Sequence, residues 1–440
     1  MHQQGDGGTG APERAPAANQ GPSLRPQATS GPSGKAEGAE PHGEGAGQKR
    51  SGKPRRRRGR RGKGGGRAGQ AAPAQKPVSG KPQKPGASGP AARHISREDK
   101  LYAALDLGTN NCRLLVARRA PEGFKVVDAY SRIVRLGEGL ATTGALGEAA
   151  MTRAIDALNI CAEKMKRRGV NRARTIATAA CRTAVNGHDF IARVKRETGL
   201  SLEIVSTEDE ARLAVAGCAP LLDAECASAL VFDIGGGSTE LIWVRLENNG
   251  RGRCRPVIGD WISLPCGVVT LAERYGGVDV PADVYGSMVR EVAGHLSPFL
   301  GRLREERDSR RPFHLLGTSG TVTTIAGVHL GLERYDRSRV DGIWISPAEV
   351  HRVTRSLLDM DYSERAAHPC VGQERADLVL AGCAIFEAIA DAWPAERLRV
   401  ADRGLREGIL MSLMDADANR RRRRRRNKSK RGAPRAEASA

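Results

Sequence analysis

One pattern constrains the fold of this chain more than any other, because it occurs twice. Leu101-Tyr-Ala-Ala-Leu105 is a short apolar run that ends in Asp106-Leu-Gly-Thr109 and resumes as Cys112-Arg-Leu-Leu-Val-Ala117. About 127 positions later, Ala229-Leu-Val-Phe-Asp233 opens onto Gly235-Gly-Gly237, and Thr239-Glu-Leu-Ile-Trp-Val-Arg245 alternates as a hairpin partner does. Each copy reads as strand, Asp-Gly turn, strand. The repetition implies an internal duplication, with one unit opening each of two domains.

The rest of the central chain alternates strands with helices, which selects α/β layers over a bundle. Helical spacing covers 148–168 and ends in Lys166-Arg-Arg-Gly169, a basic last turn followed by a C-terminal glycine. Further helices are expected over 187–198, 208–217, 283–304, 348–358, 374–391 and 403–414, and strands over 174–178, 202–205, 313–316 and 397–401, with 305–311 a loop.

Charge divides the chain in a second way. Lys and Arg number 71 against 50 Asp and Glu. The excess lies in residues 1–97, net +14, and residues 419–440, net +10, leaving −3 for the 321 residues between. Neither tail contains Phe, Trp or Tyr, so neither can offset the entropy of ordering a chain, and both are expected to be disordered. The expected organisation is a disordered extension over 1–97, a first domain over 98–226 that recovers the helix 403–415, a second over 227–402, and a disordered tail over 416–440. The run Arg420–Arg426 is expected to be solvated and to bind polyanions. No apolar run approaches the roughly 18 residues of a membrane span, and no apolar leader follows Met1. Nine scattered cysteines without a Cys-x-x-Cys pair indicate neither a zinc site nor a disulfide framework. A cytoplasmic protein with no membrane association is expected.

The chemistry concentrates in the turns. In the second copy a strand delivers the Asp233 carboxylate, Gly235, Gly236 and Gly237 let backbone amides turn toward an anion, and Ser238 and Thr239 add hydroxyl donors. Phosphate suits such amides, and Asp233 suits a hydrated divalent cation that offsets phosphate charge. In the first copy Asp106, Gly108, Thr109 and Asn110 occupy the matching places. Two facing loops imply a ligand with several phosphates between them. Gly317 and Ser319, in Gly317-Thr-Ser-Gly-Thr321, offer further donors or form a packing turn. Arg135 and Arg182 are oxyanion ligands if near the phosphates and ordinary surface residues otherwise. Glu210, in Ser206-Thr-Glu-Asp-Glu-Ala-Arg212, is either a first-turn helix acid or the base for an attacking water, and the pattern leaves both open. His188-Asp189 reads as a helix start.

Taken in order, Asp106-Leu-Gly-Thr-Asn-Asn-Cys-Arg-Leu-Leu, Arg135-Leu-Gly-Glu-Gly-Leu, Glu208-Asp-Glu-Ala-Arg, Asp233-Ile-Gly-Gly-Gly-Ser-Thr-Glu-Leu, Ser263-Leu-Pro-Cys-Gly, Gly317-Thr-Ser-Gly-Thr, Arg375-Ala-Asp-Leu-Val-Leu-Ala-Gly and Gly404-Leu-Arg-Glu-Gly resemble the motifs of the exopolyphosphatase / guanosine pentaphosphate phosphatase family over about residues 100–415. The resemblance implies the actin / sugar kinase / heat-shock ATPase superfold, two ribonuclease-H-like domains around a cleft, in the short form without an additional helical domain. It also implies Mg²⁺-dependent hydrolysis of a terminal phosphoanhydride, with Glu210 as general base and Asp106 and Asp233 as metal-associated carboxylates. The pattern departs at Thr109 and Asn111, where serines are expected, at Cys181, and by one extra residue between Glu210 and Asp233.

The expected substrate is inorganic polyphosphate, with guanosine pentaphosphate as the alternative. Nonspecific binding of RNA by the tails is the expectation from a different class, and a homodimer is compatible with the sequence.

Overall fold

The computed structural model describes residues 100–121, 123–248, 254–303 and 311–431, with 248, 254 and 424–431 described by backbone alone. The extension over 1–97 and most of the loop over 305–311 lie outside the described residues.

In the first lobe β1 is Leu101–Leu107, β2 Asn111–Ala120 and β3 Gly123–Ile133. They are followed by α1 (Leu140–Thr143), α2 (Glu148–Arg168), β4 (Arg172–Ala177), α3 (Ala179–Thr183), α4 (Gly187–Thr198), β5 (Glu203–Ile204) and α5 (Thr207–Cys218). The second lobe opens with β6 (Ser228–Ile234), β7 (Thr239–Asn248) and β8 (Cys254–Leu264), then α6 (Val268–Tyr275) and α7 (Ala282–Leu303). It continues through β9 (Phe313–Thr318), α8 (Ser319–His329), α9 (Arg337–Val340), β10 (Trp344–Ile345), α10 (Pro347–Asp359) and α11 (Tyr362–Ala367). The last elements are α12 (Val379–Ala392), β11 (Leu398–Ala401) and α13 (Leu405–Arg431).

Among the described residues the strands form two sheets, ordered β3-β2-β1-β4-β5 and β10-β11-β9-β6-β7-β8. The two share one plan. Three antiparallel strands lead, and parallel strands add on the other side of the first, β4 beside β1 and β9 beside β6. The duplication extends to irregularities, since the β2/β3 register shifts between Val116 and Ala117 and the β7/β8 register between Trp243 and Val244, the same step 127 residues on. This is the duplicated, actin-like α/β fold expected from the sequence.

The central strands read as continuous apolar runs because both faces are covered. In the first lobe Ala103 and Leu105 pack with Leu158 and Phe190 from α2 and α4, whereas Tyr102 and Ala104 pack with Ile409 and Leu410 of α13. In the second, Phe232 and Trp243 face a core containing Phe299, Phe386 and Trp393, and Val231 and Ile242 face Ala211 and Val215 of α5. Helix α5 thus serves both lobes, because its Leu213 joins the first-lobe cluster. It crosses α13 so closely that a Cβ on Gly217 would collide with the Gly404 carbonyl, and one on Gly408 with the Leu213 carbonyl.

One expectation needs correction. The tail expected to lose structure from residue 416 continues as helix to Arg431. Once α13 is nucleated by packing of its first turns, each further Arg or Ala costs little to add, and Asp417 is bonded to Lys100, Tyr102 and Arg172. Among the described residues no helix is long and apolar enough to cross a membrane.

Candidate active site

The two glycine turns meet. A Cβ on Gly236 would stand 3.0 Å from Thr109 Cβ and 3.2 Å from the Asn110 amide nitrogen, and one on Gly237 2.7 Å from Thr109 Oγ1. A side chain at either position would have to push Thr109 and Asn110 back, so glycine suits the close approach of the two lobes. Beside this contact lies a cavity of about 640 Å³ between the lobes. Its wall includes Asp106, Gly108, Thr109, Asn110, Glu210, Asp233, Gly235, Gly236, Gly237, Ser238 and Ser319, which the sequence picks out.

Glu210 sits in the first turn of α5 behind the Ser206 cap, whose hydroxyl accepts from the Asp209 amide. It is buried, 9% exposed. Arg182 Nη1 donates to Glu210 Oε2 at 3.0 Å and to the Val205 carbonyl at 2.9 Å, which fixes the carboxylate's orientation. Burial, and then the charge of Glu240, raise the pKa of Glu210 well above the usual carboxylate range, and Arg182 only partly offsets them. Glu240 is buried as well and accepts from Ser238 Oγ at 2.7 Å and Ser263 Oγ at 2.9 Å. Asp233, pushed up to about 7 by burial and by Glu240, and Asp106, raised by burial, complete the acidic wall. Ser319 turns into the left-handed region, φ 85°, and donates to the Ile234 carbonyl at 2.6 Å, a strained position at the cavity edge.

Four expected phosphate ligands stand elsewhere. Arg135 is held across the cleft by Asp377, with Nη1 and Nη2 donating at 2.8 and 3.0 Å to its two carboxylate oxygens. Arg182 orients Glu210. Thr239 is wholly buried, its hydroxyl donating to the Cys266 carbonyl at 2.7 Å. Gly317 lies within β9, where Phe232 and Val322 leave no room for a side chain.

The cavity instead presents arginines to which sequence reading assigned no role. Arg337 and Arg403 are neutralised by Glu407 and Asp341. Arg113 and Arg406 line the cavity without a salt bridge or hydrogen bond among the described residues. Arg406 is largely enclosed, and burial followed by the nearby Arg113 charge lowers its pKa. A signal for these positions exists in the duplication. Arg113 pairs across the hairpin with Asp106, and Glu240, at the equivalent place in the second copy, pairs with Asp233.

Two further atoms have no partner. Asp106 Oδ1 and Asn110 Oδ1 are buried without a hydrogen bond. Orphaned carboxylate and amide oxygens beside unpaired guanidinium groups fit a site completed by a cation and an anion together. Among the described residues no group of three or more His, Cys, Asp or Glu side chains forms a metal cage. A cation held by Asp106 and Asp233 would therefore take its remaining ligands from phosphate and water, as Mg²⁺ does.

Residues 115–417 match the model of the Ppx/GppA phosphatase family. The chain belongs to that family. The Ppx/GppA fold also accounts for its similarity to solved structures. An Aquifex aeolicus member of the Ppx/GppA family is 29% identical with a TM-score of 0.59, over 72% of this chain and 98% of that one. An exopolyphosphatase from Cytophaga hutchinsonii is 25% identical with a TM-score of 0.65, again over 72% and 98%. An exopolyphosphatase-like protein is 27% identical with a TM-score of 0.64, over 71% and 97%. The two lobes thus span nearly the whole length of these Ppx/GppA relatives, whereas the basic ends have no counterpart in the family match.

Proposed function

We propose that the protein hydrolyses the terminal phosphoanhydride of inorganic polyphosphate and releases orthophosphate. The observation that carries this reading is the convergence of unpaired Arg113 and Arg406 with the orphaned Asp106 oxygen in one polar cavity. Such a constellation is electrostatically incomplete until phosphate and a cation fill it. The solved exopolyphosphatase and exopolyphosphatase-like structures support the same choice of substrate.

In this reading the chain ends at the meeting of the two glycine loops. Amides of the two glycine turns that do not close the turns themselves, at 109–110 and 236–237, and the guanidinium groups of Arg113 and Arg406 hold the terminal phosphates. Mg²⁺, when bound through Asp106 and Asp233, would neutralise charge on the phosphate oxygens. Glu210 takes a proton from a water molecule through its Oε1, the oxygen that Arg182 leaves free. The water oxygen bonds to the terminal phosphorus as the anhydride P–O bond breaks, and the shortened chain leaves with the bonding pair. Its raised pKa makes Glu210 a stronger base than an exposed carboxylate.

A second reading is guanosine pentaphosphate. The cavity volume of about 640 Å³ favours it, since a few phosphates occupy only part of that space. Phosphate release from both compounds, measured side by side, separates the two. Polyphosphate is expected to show the higher kcat/KM, and a reversed order replaces the first reading with the second. The role of Glu210 is tested by Glu210→Gln, for which a loss of about 10²–10⁴-fold in kcat is expected. Wild-type turnover by the folded variant removes Glu210 from this role.

A further inference from the structure

The two ends of β1 have opposite surroundings. Asp106, opposite Arg113, lies in the cavity, whereas Leu101 lies opposite Arg118 at the other end. Five residue steps of strand separate these pairs, about 17 Å at the usual rise. At the far end α13 leaves the fold. Asp417 accepts from Lys100 Nζ at 3.2 Å, from Tyr102 Oη at 3.1 Å and from Arg172 Nη1, and Arg119 pairs with Asp415 at 3.4 Å. These bonds moor the helix immediately before its arginine run. Arg420–Arg423 are exposed and make no ion pair among the described residues. At about 1.5 Å per residue they lie within roughly 9 Å along the axis from Asp417. Lys100, to which the basic N-terminal segment is covalently joined, belongs to the same rim through its bond to Asp417.

We propose that this end of the first lobe is a docking surface for nucleic acid, gripped by its phosphodiester backbone. Cations crowded at i, i+3 and i+4 repel one another, and a row of phosphates relieves that repulsion. The guanidinium fork suits phosphate oxygens. Neither basic end of the sequence contains an aromatic residue, so bases are not stacked and the surface tolerates any sequence. Distance separates this partner from the substrate. The patch shares no residue with the cavity wall, and the strand between them places it about 17 Å away. Nucleic acid can therefore be held while the cavity turns over.

The test uses the full chain with Arg420→Glu, Arg421→Glu, Arg422→Glu and Arg423→Glu combined. The probes are a labelled 20-nucleotide RNA of mixed sequence and the DNA of the same sequence, titrated over a range of salt concentrations. The fourfold variant is expected to bind both at least tenfold more weakly at low salt. The slope of log K against log salt should fall by about 3, at roughly 0.7 per phosphate neutralised on a single strand. Melting temperature and phosphate release should match the unsubstituted chain. Unchanged affinity and slope in the fourfold variant overturn the proposal. A raised KM for long polyphosphate with RNA binding intact also overturns it, because the patch would then be an arm of the substrate site.

Discussion

The ion pair between Arg135 and Asp377 gives the most discriminating prediction. Arg135 sits at φ 46° in a loop tied to the first glycine turn, since the amides of Val134 and Arg135 donate to the Asn110 carbonyl and that of Gly137 to the Thr109 carbonyl. Asp377 follows the 369–375 segment of the cavity wall on the other lobe. The pair therefore joins one glycine turn to the opposite wall. It is bidentate, but its side chains are 34% and 23% exposed, so solvent screening keeps it near the upper end of the range for surface pairs. A worth of about 1 kcal/mol follows, or roughly fivefold in any equilibrium that breaks the pair. Asp377→Asn is expected to raise KM for polyphosphate about fivefold with little change in kcat. The exchange of Arg135→Asp with Asp377→Arg is expected to recover most of it, because Asp tolerates the left-handed backbone at 135. Steady-state phosphate release over a substrate series reads both. If Arg135 instead contacted substrate directly, Asp377→Asn would leave KM unchanged or lower it, and the exchanged pair would stay impaired; that pattern would refute the reasoning.

Three shorter predictions rest on other parts of the structure. Asp106→Asn removes a buried carboxylate whose raised pKa marks a desolvation cost above that pKa; in metal-free buffer at neutral pH the melting temperature should rise by about 2–4 °C per kcal/mol relieved, and activity should fall. A melting temperature that drops contradicts the account of that orphaned oxygen. Arg182→Gln withdraws the cation that lowers the Glu210 pKa. Glu210 then holds its proton to higher pH, so the acid limb of kcat/KM moves upward, and a limb that stays in place or moves down argues against Glu210 as the titrating base. Gly217→Ala drives a methyl group into the Gly404 carbonyl at the α5–α13 crossing; a loss of about 1–3 kcal/mol in chemical denaturation is expected, and no loss would mean that the two helices separate freely.

Much of the fold is legible in local pattern. The helix over Glu148–Arg168 ends at Gly169, φ 66°, as its basic last turn and glycine imply, and the duplicated hairpins appear where the Asp-Gly turns lie. The elements not anticipated carry weak local signals. Helix α8 is rich in Thr and Gly and forms because Thr321–Gly327 are buried, so tertiary packing overrides propensity. Residues 374–378 precede α12 as turns, although their apolar spacing continues the helical pattern.

By itself the sequence determined that the same strand-turn-strand unit is written twice, each copy with a glycine turn; that Gly236 and Gly237 meet Thr109 across the lobes only the fold shows. The sequence also determined which carboxylates end the strands, since strand period and turn chemistry are local properties. The tertiary structure alone decided which charges are free. Arg113, Arg135, Arg182 and Arg406 are alike as letters, yet folding pairs Arg135 with Asp377 and Arg182 with Glu210 and leaves Arg113 and Arg406 in the cavity without an ion pair among the described residues. An arginine's role depends on which acid reaches it, and those acids lie up to 242 residues away in the chain.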